Sequence, residues 1–406
     1  MSLNADRSYK MKLRDVENAF KYRRIPYPKR SVELIALLAI SCTFFLFMHT
    51  NKLNSRLKEM EVKLQPSEFS ALGLTGNHIS GHDAGKHDDI NTLHGTYQYL
   101  KSTGQLQHLT STQLNNTPRA QLDTLFFNRV PKAGSEKLME LLKLLANRNK
   151  FQARRDPKHL FETILMDTGF ARNLLKAEIL NCSTANSYTK HVAFLNFAAF
   201  GHPWPIYINL VRDPVERLVS WFYYARAPWY LADRVNAFGS DYKIPTLEWL
   251  QKDFNRCILE HDPECVYEQL DTGNLGDHRR QTLFFCGQQA ELCMPFNSQK
   301  AMQQAKRNVE NRYAVVGTWE DTNTTLSVLE AYIPRYFAGA KDVYYAMRRD
   351  MENVNRNAFR PTISEQARSV LIRNLTQEIE FYQFVRQRLN KQHIALQLEQ
   401  DRSVSG

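Results

Sequence analysis

The hydrophobic pattern changes character at about residue 121. Beyond that point, short apolar runs alternate with segments whose apolar residues recur at helical spacing. The apolar runs predict buried strands at 125–130, 190–197, 205–211 and 313–318. The helical spacing predicts helices at 135–145, 158–180, 214–226, 299–311, 326–336 and 364–390. Strands that alternate with helices indicate an α/β fold with a central parallel sheet flanked by helices.

An uncharged apolar run, residues 34–51, lies near the N-terminus. As a helix it would rise about 27 Å, which spans a thin bilayer. Residues 1–33 hold nine Lys and Arg against four Asp and Glu. The positive-inside rule therefore predicts a cytoplasmic tail at 1–33, a transmembrane signal-anchor at 34–51 and a lumenal remainder. A cleaved signal peptide is the alternative, disfavoured because the basic region is long and no small-residue cleavage site follows.

Residues 52–120 are rich in small and polar residues and have little apolar periodicity. This composition predicts a flexible lumenal stem, and its histidines are better explained as solvated linker residues than as a metal site. We expect one catalytic domain over 121–395 and a disordered tail at 396–406.

The composition narrows the class of protein. A chain of 406 residues that is 43% hydrophobic is neither a disulfide mini-protein nor a disordered polymer. The net charge is +11, and +5 of it lies in the first 33 residues. The remainder is mildly basic, which suits a phosphate, sulfate or polyanion site and predicts no nucleic-acid partner.

Four of the six cysteines form two close pairs, Cys257 with Cys265 and Cys286 with Cys293. Each pair could close a short loop in an oxidising compartment, whereas zinc sites need tighter spacing, so no metal is predicted. Four N-glycosylation sequons are compatible with a lumenal location; they begin at Asn115, Asn181, Asn323 and Asn374.

The first candidate site is the segment 128–135, NRVPKAGS, between a predicted strand and the helix that follows. Backbone N–H groups at a helix start carry partial positive charge and bind phosphate or sulfate oxygens. Lys132 adds a mobile cation, Gly134 allows close approach of a ligand, and Ser135 can cap the helix. The Walker A pattern of ordinary ATPases and GTPases is absent. An N-capped surface helix with a solvated lysine is the alternative interpretation.

The second candidate site follows the strand at 205–211. Asp213, Pro214 and Glu216 have the pattern of a capped helix start. Arg212 therefore lies at the carboxyl edge of the sheet, where open α/β folds bind ligands, and Ser220 lies two turns into the helix. A well-capped helix whose Arg212 pairs with an acid is the alternative.

Together, NRVPKAGS and INLVRDPVERLVSWFYY resemble the signature of the Golgi carbohydrate sulfotransferases, which use 3′-phosphoadenosine 5′-phosphosulfate (PAPS). The segment KHVAFLNF and the Cys-x7-Cys spacing narrow the resemblance to the uronosyl 2-O-sulfotransferases of heparan and dermatan/chondroitin sulfate. Within that family the sequence is most similar to a member associated with embryonic dorsoventral patterning. The resemblance covers about residues 121–395 and implies a P-loop-like sulfotransferase fold.

The resemblance also implies roles for individual residues. His191 falls on the position of the catalytic base, and Lys132 would stabilise the bridging oxygen of PAPS. Arg129 would grip a uronic acid carboxylate, and Arg226 and Arg234 are further candidates for binding the acceptor. The residues expected to bind PAPS are Lys132, Ala133, Gly134, Ser135, Glu136, Lys137, Arg212, Ser220 and Arg356.

The implied reaction is transfer of a sulfuryl group to the 2-hydroxyl of a uronic acid, or to a related hydroxyl on a glycoprotein glycan. The implied partners are an anionic glycan or glycoprotein acceptor, the Golgi membrane and a second copy of the chain. The sequence departs from the family pattern in two places. Thr189 stands where some relatives have a second histidine, and Glu136 and Lys137 replace the small hydroxyl residues that usually follow the loop serine. A non-catalytic scaffold that binds PAPS or glycan is therefore the alternative, and a nucleotide kinase or GTPase is disfavoured.

Overall fold

The computed structural model describes residues 90–162, 164–272, 278–347, 349–350 and 360–405, together with Met48. The predicted cytoplasmic tail, the signal-anchor apart from Met48, and residues 52–89 of the predicted stem lie outside the described residues. Within the described part of the chain, the helices are too short or too polar to cross a membrane.

A five-stranded parallel sheet is the centre of the fold. Its strands lie in the order β2-β3-β1-β4-β5, and each neighbouring pair is parallel. Because the strands are parallel, their carboxyl ends share one edge, and β1 lies between neighbours reached by crossovers in opposite directions. The strands are β1 (Gln121–Asn128), β2 (Gln152–Arg155), β3 (Asn186–Lys190), β4 (Pro205–Leu210) and β5 (Tyr313–Gly317).

Helices flank this sheet, which confirms the predicted α/β class. Between β1 and β5 the helices are α3 (Ser135–Arg148), α4 (Thr168–Asn173, continued by a π-helical turn at Leu174–Ile179), α5 (Pro214–Ala225), α6 (Pro228–Phe238), α7 (Leu247–Leu250), α8 (Phe254–Leu259), α9 (Thr282–Cys286), α10 (Ala290–Cys293) and α11 (Gln299–Arg312). Before β1 lie α1 (Leu93–Ser102) and α2 (Ser111–Leu114). After β5 lie α12 (Thr322–Tyr332), α13 (Pro334–Phe337), α14 (Ala340–Ala346), α15 (Glu365–Asn374) and α16 (Thr376–Ser405).

Apolar runs in β1 and β4 are typical of parallel strands that are covered on both faces, whereas the inner strand β3 has the polar sequence NSYTK. Every residue of β3, β4 and β5 is buried. On the sheet, the ring centroids of Phe126 and Tyr207 lie 5.7 Å apart, and those of Tyr207 and Tyr313 lie 5.4 Å apart. This aromatic core holds the strand ends in fixed positions, and the candidate site is built on those ends.

Several predicted elements differ from the structure. The strand predicted at 190–197 overlaps β3 only at Lys190, because the backbone beyond it bonds to a loop and to α9 instead of a strand: Ala193 N–H donates to Ile164 O (3.0 Å) and Phe194 N–H to Phe284 O (2.9 Å). His191 is therefore the first residue after β3, not a strand residue. The helix predicted at 158–180 is confined to α4 and its π-helical continuation.

Both ends of the described domain extend beyond the boundaries drawn from the sequence. Residues 90–120, expected to belong to a flexible stem, include α1 and α2, and Leu100 packs with Ile394 and Ala395 of α16. Residues 396–405, expected to be disordered, continue α16. These segments are polar on average, and they fold because each supplies the other with a small apolar surface.

Candidate functional site

The loop after β1 is held in place by a side chain from the segment that follows the edge strand β5. Lys132 and Gly134 both have left-handed backbone conformations, with φ of 61° and 86°. The indole Nε1–H of Trp319, which follows β5, donates to Gly134 O at 2.8 Å, and a β-carbon on Gly134 would overlap the Trp319 ring. No side chain caps the start of α3, so its first N–H groups face the loop. This geometry suits an anion.

Lys132 lies in this loop beside an aromatic ring. Its Nζ is 3.6 Å from the ring centroid of Tyr224 in α5. Burial lowers the pKa of Lys132 to about 7, and the positive charge of Arg212 contributes in the same direction. A negative charge beside Lys132, such as that of a bound sulfate or phosphate, would raise its pKa and favour the ammonium form.

Arg212 follows β4 and brings the two candidate segments together. Its Nη1–H donates to Lys132 O at 3.3 Å. Gln281 holds the Arg212 backbone on both sides, because its Oε1 accepts from Arg212 N–H (3.5 Å) and its Nε2–H donates to Arg212 O (3.2 Å). The backbone N–H of Gln281 donates in turn to the fully buried carboxylate of Glu378 at 2.9 Å. The sequence analysis missed Gln281, which follows no strand and belongs to no motif.

Three arginines converge on Glu216 in the first turn of α5. The Nη2 atom of Arg368 is 2.8 Å from Glu216 Oε1, that of Arg212 is 4.0 Å from Oε2, and Arg360 also pairs with Oε2. The carboxylates of Glu320 and Asp213 also act on Arg212, so with Lys132 nearby four cationic groups face three carboxylates at this edge of the sheet. Ser220, which the sequence predicts to bind PAPS together with Arg212, is half-buried and lies one turn after Glu216 in α5.

His191 lies directly after β3, on the other side of β1. Its Nδ1 is 3.0 Å from Arg129 O. Because a carbonyl oxygen only accepts, Nδ1 carries the proton and Nε2 keeps its lone pair. Burial lowers the pKa of His191 well below 6.5, and the charge of Arg129 lowers it further. The imidazole is therefore neutral and able to accept a proton.

Arg129 and Glu136 form an ion pair across the loop. Their side chains are 10% and 33% exposed, and the other oxygen of Glu136 lies 3.8 Å from Nη1 of Arg155 in β2. Burial raises the pKa of Glu136, but the charges of Arg129, Arg155 and Lys132 outweigh that effect and hold it below its usual value. Glu136, expected to bind PAPS, instead faces the side of the loop on which Arg129 and His191 lie.

An aromatic surface extends from Lys132 along α5 and α6. The ring of Tyr224 lies 4.5 Å from that of Tyr230, 5.2 Å from that of Trp229 and 6.1 Å from that of Trp221, between centroids. Aromatic faces of this kind stack well against the apolar faces of sugars. Tyr224 connects this surface to Lys132.

Two predicted acceptor residues make contacts within the fold. Arg226 is buried, donates to both oxygens of Glu264 at 2.8 Å and donates to the carbonyl oxygens of Trp249 and Phe222. Arg234 donates to the carbonyl oxygens of His159 (2.8 Å) and Leu160 (2.5 Å). Their roles in binding the acceptor stay predictions. Arg356 lies outside the described residues.

The cysteine pairs are joined as disulfides, Cys257 with Cys265 and Cys286 with Cys293. Among the described residues, one group has the spacing of a metal site, but it consists of Asp262, Glu264 and Cys257, whose sulfur is in a disulfide. Of the four sequon asparagines, Asn181 and Asn323 are exposed, and Asn115 and Asn374 are half-buried.

The amino-acid sequence is similar to a known protein family and to several characterised proteins. A family model described as the sulfotransferase family matches residues 117–385. The chain is 51% identical to uronyl 2-sulfotransferase homolog pip of Drosophila melanogaster, over 98% of this chain and 95% of that protein. It is 31% identical to uronyl 2-sulfotransferase of Mus musculus, over 65% of this chain and 61% of that protein. It is also 31% identical to heparan sulfate 2-O-sulfotransferase 1 of the same species, over 64% of this chain and 68% of that protein.

Proposed function

Because the chain belongs to the sulfotransferase family, we propose that it transfers the sulfuryl group of PAPS to a hydroxyl of a glycan. The acceptor we propose is the 2-hydroxyl of a uronic acid in a glycosaminoglycan or in the glycan of a glycoprotein. The single observation that carries this proposal is the contact between Arg212 and the Lys132 loop, on the sheet edge where His191 also lies.

The site has groups suited to both ends of the donor. The loop 132–135 and the start of α3 would hold the 5′-phosphosulfate, and Arg212, with Ser220 further along α5, would hold the 3′-phosphate. Arg360 and Arg368 add positive charge beside Arg212. PAPS supplies the activated sulfuryl group, and no described group of this chain suggests a metal requirement.

The residues of the chain then have complementary tasks. Nε2 of His191 accepts the proton of the acceptor hydroxyl while that oxygen forms its bond to sulfur and the bond from sulfur to the bridging phosphate oxygen breaks. The Lys132 ammonium stabilises the negative charge that develops on the bridging oxygen. Fixed placement and electrostatic stabilisation carry most of such a transfer, as they do in phosphoryl transfer.

The location and assembly of the protein are proposed from the sequence patterns and the family resemblance. We propose a single-pass type II protein of the Golgi membrane, with residues 34–51 as its anchor and the catalytic domain in the lumen. The two disulfides agree with an oxidising compartment. We also propose that the chain forms a homo-oligomer and that it binds an anionic glycan rather than nucleic acid.

The test uses the full chain in detergent, labelled PAPS and a panel of glycosaminoglycans. Replacement His191→Ala is expected to abolish transfer while the affinity for adenosine 3′,5′-bisphosphate is kept, since the base is gone and the nucleotide groups remain. His108→Ala is the matched control, because His108 is exposed in a short turn before β1. Equal labelling by His191→Ala would remove His191 from the mechanism, and nucleotide binding without transfer to any acceptor by the unmodified chain would favour a scaffold.

A further inference from the structure

The Arg129 guanidinium, which is expected to bind the carboxylate of a sugar, is paired in this structure with the carboxylate of Glu136. Arg129 precedes the donor loop, and its carbonyl oxygen orients His191. Its Nη1 pairs with Glu136 and also lies 3.2 Å from Sδ of Met139. The side chain of Arg129 therefore binds a carboxylate, while the backbone carbonyl of the same residue orients the proposed base, His191.

Glu136 compensates a charge that would otherwise be costly. The Arg129 side chain is 10% exposed, and its Nε is buried with no hydrogen-bond partner. A buried guanidinium that lacks a counter-charge destabilises a protein strongly. In the absence of acceptor, Glu136 supplies that counter-charge from two residues beyond Gly134.

The same carboxylate has a second partner within reach. Its Oε2 lies 3.8 Å from Nη1 of Arg155, whose side chain is 40% exposed on the outermost strand β2. The Arg155 side chain can follow Glu136 more easily than the buried Arg129 can. If another carboxylate took the place of Glu136 on Arg129, Glu136 would keep an ion pair by closing on Arg155.

We propose that Glu136 is an autoinhibitory residue that occupies the carboxylate site of Arg129 until the carboxylate of the acceptor sugar displaces it onto Arg155. The inference rests on the proposed function for the identity of the acceptor. It explains how an acidic residue is tolerated in a loop that handles anions: Glu136 pairs on the acceptor side and not with the donor.

The exchange has a consequence for selectivity. A carboxylate held on the same chain competes at a high effective concentration, so it raises the Michaelis constant of every acceptor that must displace it. An acceptor without a carboxylate cannot release Glu136 from Arg129. The ion pair thus weakens binding of a uronate moderately and leaves binding of a neutral sugar unchanged, so it narrows the difference in affinity between the two.

The experiment compares Glu136→Gln with the unmodified chain. The amide keeps the length of the side chain and can still accept from Arg129, but it carries no charge. For a uronate-containing acceptor we expect KM to fall about three- to tenfold, with kcat changed less than about twofold. The affinity of methyl β-D-glucuronide for the protein saturated with adenosine 3′,5′-bisphosphate, measured by calorimetry, is expected to rise by the same factor, and that of methyl β-D-glucoside to stay unchanged.

Two further variants make the outcome decisive. Glu140→Gln, one turn further along α3 and paired with Lys143 at 2.8 Å on the surface, is the matched control and should leave both constants unchanged. Arg155→Gln should raise KM, because it removes the group that receives Glu136. An unchanged or raised KM in Glu136→Gln, or a lowered KM in Arg155→Gln, overturns the proposal. The glucuronide measurement does not depend on transfer, so it tests the exchange even if the unmodified chain were to show no sulfate transfer, which would refute the proposed function instead.

Discussion

At the scale of single residues, two depressed pKa values set the pH range in which the site can work. Lys132 carries its charge below about pH 7 and loses it above that value, because burial and Arg212 lower its pKa to about 7. His191 is neutral above its own pKa, which burial and Arg129 hold well below 6.5. The protonated lysine and the neutral histidine therefore coexist in mildly acidic solution, which suits a Golgi lumen.

We predict that kcat/KM is highest below pH 7 and falls as the pH rises through about 7, since this ratio reports the ionisation of the free enzyme. The acid limb, where His191 gains a proton, is expected below pH 6.5. The measurement is the kcat/KM profile from pH 5 to 8.5. Lys132→Arg keeps its charge throughout and should remove the fall near pH 7, whatever its absolute rate. A profile that rises through pH 7 would contradict the role given to the ammonium form.

The sequence predicted which residues of the proposed donor site lie together, but not the partners of the arginines. Lys132, Gly134 and Arg212 follow strands whose carboxyl ends must meet at one edge, so their proximity could be predicted from order along the chain. Arg226 follows a run of aromatic residues, as a ligand-binding arginine could, yet its Nη2 donates to both oxygens of Glu264, 38 residues away, and its Nη1 donates to Phe222 O. Pairing of this kind depends on tertiary packing and leaves no local pattern.

At the scale of elements, the contact between Gly134 and Trp319 ties the loop before α3 to the segment after β5. We predict that Gly134→Ala disrupts the loop, because the added β-carbon must occupy the space of the Trp319 ring while the residue keeps a φ of 86°. Donor affinity is expected to fall at least about tenfold, with a loss of stability well above the roughly 1–3 kcal/mol that a left-handed alanine costs. Calorimetry with adenosine 3′,5′-bisphosphate and denaturant unfolding measure the two effects.

Gly104→Ala separates the clash from the backbone strain. Gly104 also has a left-handed conformation, with φ of 72°, but a β-carbon there meets nothing within 4 Å. This variant should lose about 1 kcal/mol of stability and keep its donor affinity. If both alanine variants behaved alike, the Trp319 contact would have no part in shaping the loop.

The apolar strands could be read from the sequence, and the polar ones could not. Strands β4 and β5 are buried throughout and give apolar runs, whereas β3 (NSYTK) is polar although every residue of it is buried, and the sequence predicted a strand at 190–197 instead. Strand β2 was missed because its sequence, QARR, is polar and largely exposed at the edge of the sheet. The helix predicted at 364–390 is divided at Leu375, where Asn297 accepts from Gln377 N–H at 2.7 Å and donates to Thr376 Oγ1 at 2.9 Å. A side chain 80 residues away along the sequence thus ends one helix and begins the next.

At the scale of the whole molecule, the two ends of the described domain stabilise each other. Asn390 of α16 donates to Asn91 O (3.2 Å) and Thr96 Oγ1 (3.1 Å), and Gln392 donates to Leu114 O (3.2 Å). Residues 90–120 and 396–405, at the outer ends of these contacts, lack the apolar periodicity of a core, so the sequence predicts a stem and a tail there. Their folding is a property of the pair.

The last pair of contacts in this arrangement gives a direct test of where the domain ends. Glu399 accepts from Ser111 N–H (2.8 Å) and from Ser111 Oγ–H (2.7 Å). We predict that deletion of 396–406 lowers Tm by about 2–5 °C and speeds amide hydrogen exchange in 109–114, because it removes these two hydrogen bonds. Sulfate transfer should persist, since the proposed site is built on strand ends and on residues before 396. Deletion of 403–406 keeps Glu399 and should leave the exchange slow. If the longer deletion left Ser111 equally protected, residues 396–406 would behave as the independent tail that the sequence predicts, and the domain would end where the hydrophobic pattern ends.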